Sequence, residues 1–83
     1  MLSATNLKEI GKMFRAERKA LGRTQADIAR DSGLRRETII RIEAGENIDM
    51  ITFLKATSAI RKGLRLADSR PDYDTIKELF RDD

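Results

Sequence analysis

Four glycines, at positions 22, 33, 45 and 63, divide a helix-forming chain into short pieces. Between these breaks apolar residues recur three and four positions apart, the period of one helix face. Pieces of two to four turns are unstable alone and must pack on one another. The chain is therefore expected to be all-α.

The first segment runs from Leu7 to about Leu21, with Leu7, Ile10, Phe14 and Leu21 on one face. Thr5 and Asn6 can cap its start, and Gly22 can end it in the left-handed conformation. Gly11, in its interior, weakens it. Thr24 caps a second helix from Gln25 to about Asp31, where Asp27 can close a capping box. Ser32-Gly33 breaks the chain. A third helix follows at about Arg36 to Ala44 and ends at Gly45. Glu46 and Asn47 lie in the loop to a fourth helix, about Met50 to Ile60, with Asp49 as cap. Leu64 and Leu66 flank Arg65 in either a short strand or an extended linker. Ser69-Arg70-Pro71-Asp72 reads as a helix start with Pro in the first turn. The last helix would span about Pro71 to Arg81, with Tyr73, Ile76, Leu79 and Phe80 as its apolar stripe. Phe14, Ile28, Ile39, Ile42, Phe53 and Leu54 are expected in the core.

With 83 residues there is room for one domain. The chain has no cysteine and no histidine. Disulfides, thiolate metal sites, the commonest general base and the commonest metal ligand are thereby excluded. A Gly-rich phosphate loop is also missing, so enzyme function is not expected, and neither is a cofactor. No apolar run approaches the ~20 residues of a membrane span, which points to a cytoplasmic protein. Charge is uneven. Residues 7–65 carry 14 Lys/Arg against 8 Asp/Glu, a net +6, whereas residues 66–83 carry 3 against 6, a net −3. A basic body suits a polyanionic partner.

The most informative stretch is TQADIARDSGLRRETIIRIEAGE, from Thr24 to Glu46. Two short helices flank a glycine turn. Small Ala29 lets the second helix approach, and Leu34, Ile39 and Ile42 supply apolar contacts between the two. The far face of that second helix is left free to enter a major groove. This segment resembles the Cro/C1-type (Xre) family of helix-turn-helix regulators. The resemblance covers Leu7 to Gly63, on Phe14, Arg18, Gly22, Thr24-Gln25, Ile28-Ala29, Gly33, Ile39, Ile42-Glu43 and Gly45, in order and spacing. It implies a five-helix lambda-repressor-like DNA-binding domain over residues 1–66. Residues 67–83 would form an additional C-terminal helix or tail, a dimerisation or partner contact.

The resemblance also implies roles. Gln25 matches a phosphate-contacting glutamine, beside Thr24 at the same helix start. The base-reading positions fall on Arg36, Glu37 and Arg41, with Arg35, Thr38 and Ile40 beside them. Arg18 and Glu43 match a semi-buried salt bridge. Helical geometry agrees, because positions 36, 37, 40 and 41 share one face and 39 and 42 share the other. An arginine can fork onto guanine, a glutamate can accept from cytosine N4, and Ile40 can touch a thymine methyl.

Solvated surface is the ordinary fate of an arginine. Arg35 and Arg36, however, stand at the positive end of a helix, where each cation is unfavourable by about 0.3–1 kcal/mol. That placement fits an anionic ligand. Glu37 either reads a base or orients Arg41 four residues on. Ile40 either touches DNA or belongs to the core. Glu46 would repel phosphate. The Tyr73–Phe80 stripe either folds back on its own domain or packs on a second subunit.

The implied function is a sequence-specific transcriptional regulator, a repressor that binds a palindromic operator in double-stranded DNA as a homodimer. The alternative is an antitoxin that also holds a toxin or co-regulator protein. A non-DNA interaction module on the same fold is a third reading.

Overall fold

The computed structural model describes residues 3–68. It contains four α-helices: α1 Leu7–Ala20, α2 Gln25–Ser32, α3 Arg36–Glu43 and α4 Met50–Ala59. α3 packs on both α1 and α2, and α4 packs on α2.

Three of the four starts are set by a side-chain cap, that of α3 being the exception. Asn6 accepts from the Glu9 N–H in α1, and Asp49 from the Thr52 N–H in α4. In α2 the capping box is complete. Thr24 Oγ1 accepts from the Asp27 N–H at 3.0 Å, and the Thr24 N–H donates to Asp27 Oδ2 at 2.9 Å. All four ends share one pattern of two backbone bonds closing on the last turn. Gly22, Gly33 and Gly45 supply the left-handed residue in three of them, and Arg61, at φ 59°, supplies it in α4.

The capping carboxylates make stability sensitive to acid. Backbone hydrogen bonds from Thr24 and Thr52, each reinforced by the same residue's side chain, hold Asp27 and Asp49 below the usual aspartate value. Because both folded-state values are lowered, these caps contribute fully above about pH 4 and fade as pH falls through the lowered values. The melting temperature is expected to fall between about pH 5 and pH 2. Thermal melts of an Asp27→Asn/Asp49→Asn variant should lose part of that dependence.

The buried apolar residues are Phe14, Ile28, Ala29, Ile39, Ile42, Ala56 and Ile60, with Leu34, Ile48, Phe53 and Ala59 packed against them. Leu54, expected in the core, is 38% exposed. The inward line of α4 runs through Phe53, Ala56 and Ile60, at spacings of three and four, which turns Leu54 outward. Residues 62–68 are irregular in the single chain, with no strand among the described residues. Four helices, not five, are present among the described residues. The helix expected from Pro71 to Arg81 lies outside them.

Gly11 has a packing role. A Cβ built there would lie 2.6 Å from the Ile42 carbonyl oxygen and 2.7 Å from that of Glu43. Only a residue without a side chain lets α1 approach the end of α3 this closely. Gly45 is constrained twice, by φ 81° and by the Lys8 Cα, 2.9 Å from where its Cβ would stand.

Candidate nucleic-acid interface

α2 and α3 are joined by a turn at Gly33, φ 72°. α3 buries Ile39 and Ile42, which fixes its rotation. Arg36, Glu37, Ile40 and Arg41 consequently lie on the exposed side. Ile40 is 40% exposed, so its core alternative does not apply. Thr38 is half-buried at the edge of this face.

Arg35 occupies the cap position of α3 but makes no side-chain capping bond. The N–H groups of Thr38 and Ile39 reach only its carbonyl oxygen. Neither Arg35 nor Arg36 has an ion-pair partner among the described residues. Both guanidiniums are free for an anion at the end of the helix that disfavours cations.

At the start of α2, Thr24 and Gln25 border a shallow depression with Arg18, Ala26 and Arg36. The capping box occupies the Thr24 and Asp27 N–H groups. Those of Gln25 and Ala26 lie in the first turn, where a helix has no internal acceptor. Gln25 is half-buried, and its Nε2 donates to Glu43 Oε1 at 3.2 Å. One amide proton is thus used internally and the other remains for a ligand.

Glu43 anchors the interface from beneath. Arg18 Nε donates to Glu43 Oε2 at 2.7 Å and Arg18 Nη2 to Glu43 Oε1 at 3.0 Å. Arg18 Nη1 donates to the Arg23 carbonyl oxygen at 2.8 Å. The hydrogen bond to Glu43 raises the Arg18 pKa further above its already high value. One carboxylate therefore ties α1, α2 and α3 together.

Arg41 differs from the other two arginines. Its Nε donates to Glu46 Oε1 at 3.1 Å. Glu37, considered from sequence as its orienting partner, makes no such bond. The Glu46 contact was missed in the sequence, although Gly45 was a usable signal. A left-handed glycine at that point brings the residue after it against the residue four before it. The Gln25–Glu43 bond had no local signal, since the two lie 18 positions apart.

No helix among the described residues is long and apolar enough to cross a membrane. They contain no group of three His, Cys, Asp or Glu side chains arranged to hold a metal.

Two short helices about a glycine turn, the second turning arginines outward, define a helix-turn-helix DNA-binding protein. Residues 14–66 match the Helix-turn-helix family HTH_3, and the chain belongs to this family of Cro/C1-type DNA-binding regulators. No curated protein sequence matches it. Among solved structures it is similar to the restriction-modification controller protein C.AhdI from Aeromonas hydrophila. That similarity has 33% identity and a TM-score of 0.62, covering 65% of this chain and 83% of that one. It also resembles HipB in a complex with the O2 20mer, at 22% identity and a TM-score of 0.77, covering 84% and 99%. The HipA–HipB–O2–O3 complex contains a similar chain, at 21% identity and a TM-score of 0.77, covering 84% and 100%. These last two likenesses are of fold.

Proposed function

We propose that this protein is a sequence-specific transcriptional repressor that binds a palindromic operator as a homodimer. The observation that carries the proposal is the rotation of α3. Buried Ile39 and Ile42 leave Arg36, Glu37, Ile40 and Arg41 on its outer side. Arg36 and Arg41 read guanine edges, and Glu37 and Ile40 read neighbouring pairs. Thr24, Gln25, Arg35 and Thr38 contact the backbone around them, where phosphate contacts set register. A dimer would place two α3 helices about 34 Å apart in successive major grooves. Similarity to a restriction-modification controller supports a regulatory role.

On this reading residues 1–66 form the DNA-binding domain. Residues 67–83 are a C-terminal extension for dimerisation or partner contact. The protein works in the cytoplasm, by occlusion of DNA rather than by catalysis.

Selection of bound duplexes from a random pool, at stated salt, tests the proposal by reporting half-site, spacing and symmetry. Arg36→Ala and Arg41→Ala should each weaken binding to the enriched duplex by about 1–3 kcal/mol and relax preference at one base pair. Gln25→Ala should weaken binding to all duplexes more evenly. Wild-type binding by both arginine variants would refute the assignment of the reading face.

A second reading is a DNA-binding antitoxin that also holds a protein partner. The net −3 of residues 66–83 favours a contact surface distinct from the basic body, and HipB, similar in fold, is solved with HipA. Co-purification of a stoichiometric second protein from the native host would favour it.

A further inference from the structure

Glu46 lies just beyond the C-terminal end of α3. It is the second residue beyond the last turn-closing position of α3, and it meets Arg41 at two points. Its N–H donates to the Arg41 carbonyl oxygen at 3.0 Å, and its Oε1 accepts from Arg41 Nε at 3.1 Å. At helix ends of this kind a hydrophobic contact is usual between these two places. Here an ion pair replaces it. Gly45, held by its positive φ and by the Lys8 backbone, carries Glu46 on fixed main chain.

The side chains of Arg41 and Glu46 are 51% and 54% exposed. A pair that open to water contributes little to stability. What it changes is geometry and charge. A guanidinium can offer two forks, one from Nε with a terminal nitrogen and one from both terminal nitrogens. Glu46 occupies Nε. The two terminal nitrogens have no hydrogen-bond partner among the described residues, and their end-on fork matches guanine O6 and N7. A phosphate approaching Arg41 meets the neighbouring carboxylate and is repelled, whereas a base edge carries no net charge.

We propose that Glu46 is a specificity-determining positioning residue, which holds Arg41 for end-on contact with a guanine edge and withholds it from the DNA backbone. This rests on α3 being the DNA-reading helix. Under this arrangement Arg41 adds to discrimination while adding little to counterion release.

The test uses the full chain as wild type, Glu46→Ala, Glu46→Gln, Arg36→Ala and Arg41→Ala. Binding is followed across a salt series on two duplexes of equal length: the sequence enriched by the wild type from a random pool, and a scrambled version. Glu46→Ala is expected to bind the scrambled duplex more tightly than wild type. Its slope of log K against log salt should be steeper by about one unit. Its preference for the enriched over the scrambled duplex should fall about tenfold. Glu46→Gln keeps an acceptor for Nε and loses the charge, so it should share the steeper slope while retaining more of the preference.

An unchanged preference in Glu46→Ala, or a wild-type slope in both Glu46 variants, overturns the proposal. The two arginine arms separate the two levels of failure. If Arg36→Ala and Arg41→Ala both bind the enriched duplex as wild type does, α3 is not the reader and both assignments fall. If either loses binding while Glu46→Ala keeps its preference, only the role of Glu46 is wrong.

Discussion

Replacing Glu43 by alanine is expected to destabilise the fold by about 3–5 kcal/mol, the range for a buried pair that loses one partner. Arg18 is only 7% exposed, and two of its three side-chain bonds go to this carboxylate. Without Glu43 the guanidinium would keep only the Arg23 carbonyl oxygen. Gln25 would lose its acceptor too. A domain of this size has a total stability of about 4–12 kcal/mol, so much of it would disappear. Urea unfolding of the variant checks this. The double variant Arg18→Met/Glu43→Leu should be far less affected than Glu43→Ala, because it removes both charges together. A double variant as unstable as the single one would show that shape, not charge, is what the pair supplies.

Gly11→Ala is the second substitution with a large expected effect. Alanine ordinarily strengthens a helix interior by about 1 kcal/mol over glycine. Here its methyl would stand 2.6 Å and 2.7 Å from two carbonyl oxygens of α3. Those are backbone atoms, so relief requires α1 and α3 to separate. Overpacking of this kind costs about 1–3 kcal/mol or more. We expect a net loss of about 2 kcal/mol, seen as a fall in melting temperature on the order of 10 °C. An unchanged or raised melting temperature would mean that the two helices part without penalty. Since Ile42 and Glu43 end α3, even a folded Gly11→Ala protein should bind DNA less well.

These two substitutions mark where sequence reasoning stops. Gly11 read as a defect in its own helix, because the carbonyls that require it lie more than 30 positions away. Local chemistry was legible. The Thr24–Asp27 capping box and the turn at Gly33 depend on residues within a few positions of one another. Periodicity placed Ile28, Ile39 and Ile42 inside, since each falls on the inward phase of its helix, with Ile40 the one apolar residue of α3 turned outward. It misplaced Leu54 because α4 is apolar on more than one side. Met50, Ile51 and Leu54 are all exposed there, and its buried line includes small Ala56 and polar Thr57. Thr57 satisfies its hydroxyl on the Leu54 carbonyl oxygen at 3.1 Å, a bond no hydropathy pattern reveals. At the interface the exposed arginines followed from helix phase. The bonds holding Gln25 and Arg41 depend on how chain segments meet in space.

The brevity of α3 limits how much genetic information one molecule can extract. Eight residues make a rod about 12 Å long, which spans three to four base-pair steps. With four distinguishable pairs at each step, a word of about four letters recurs by chance roughly every 250 base pairs. Addressing one promoter in a genome therefore demands at least two such words at fixed separation. On the proposed homodimer, mutations that weaken pairing between copies should consequently blur target choice as severely as mutations in the proposed reading helix.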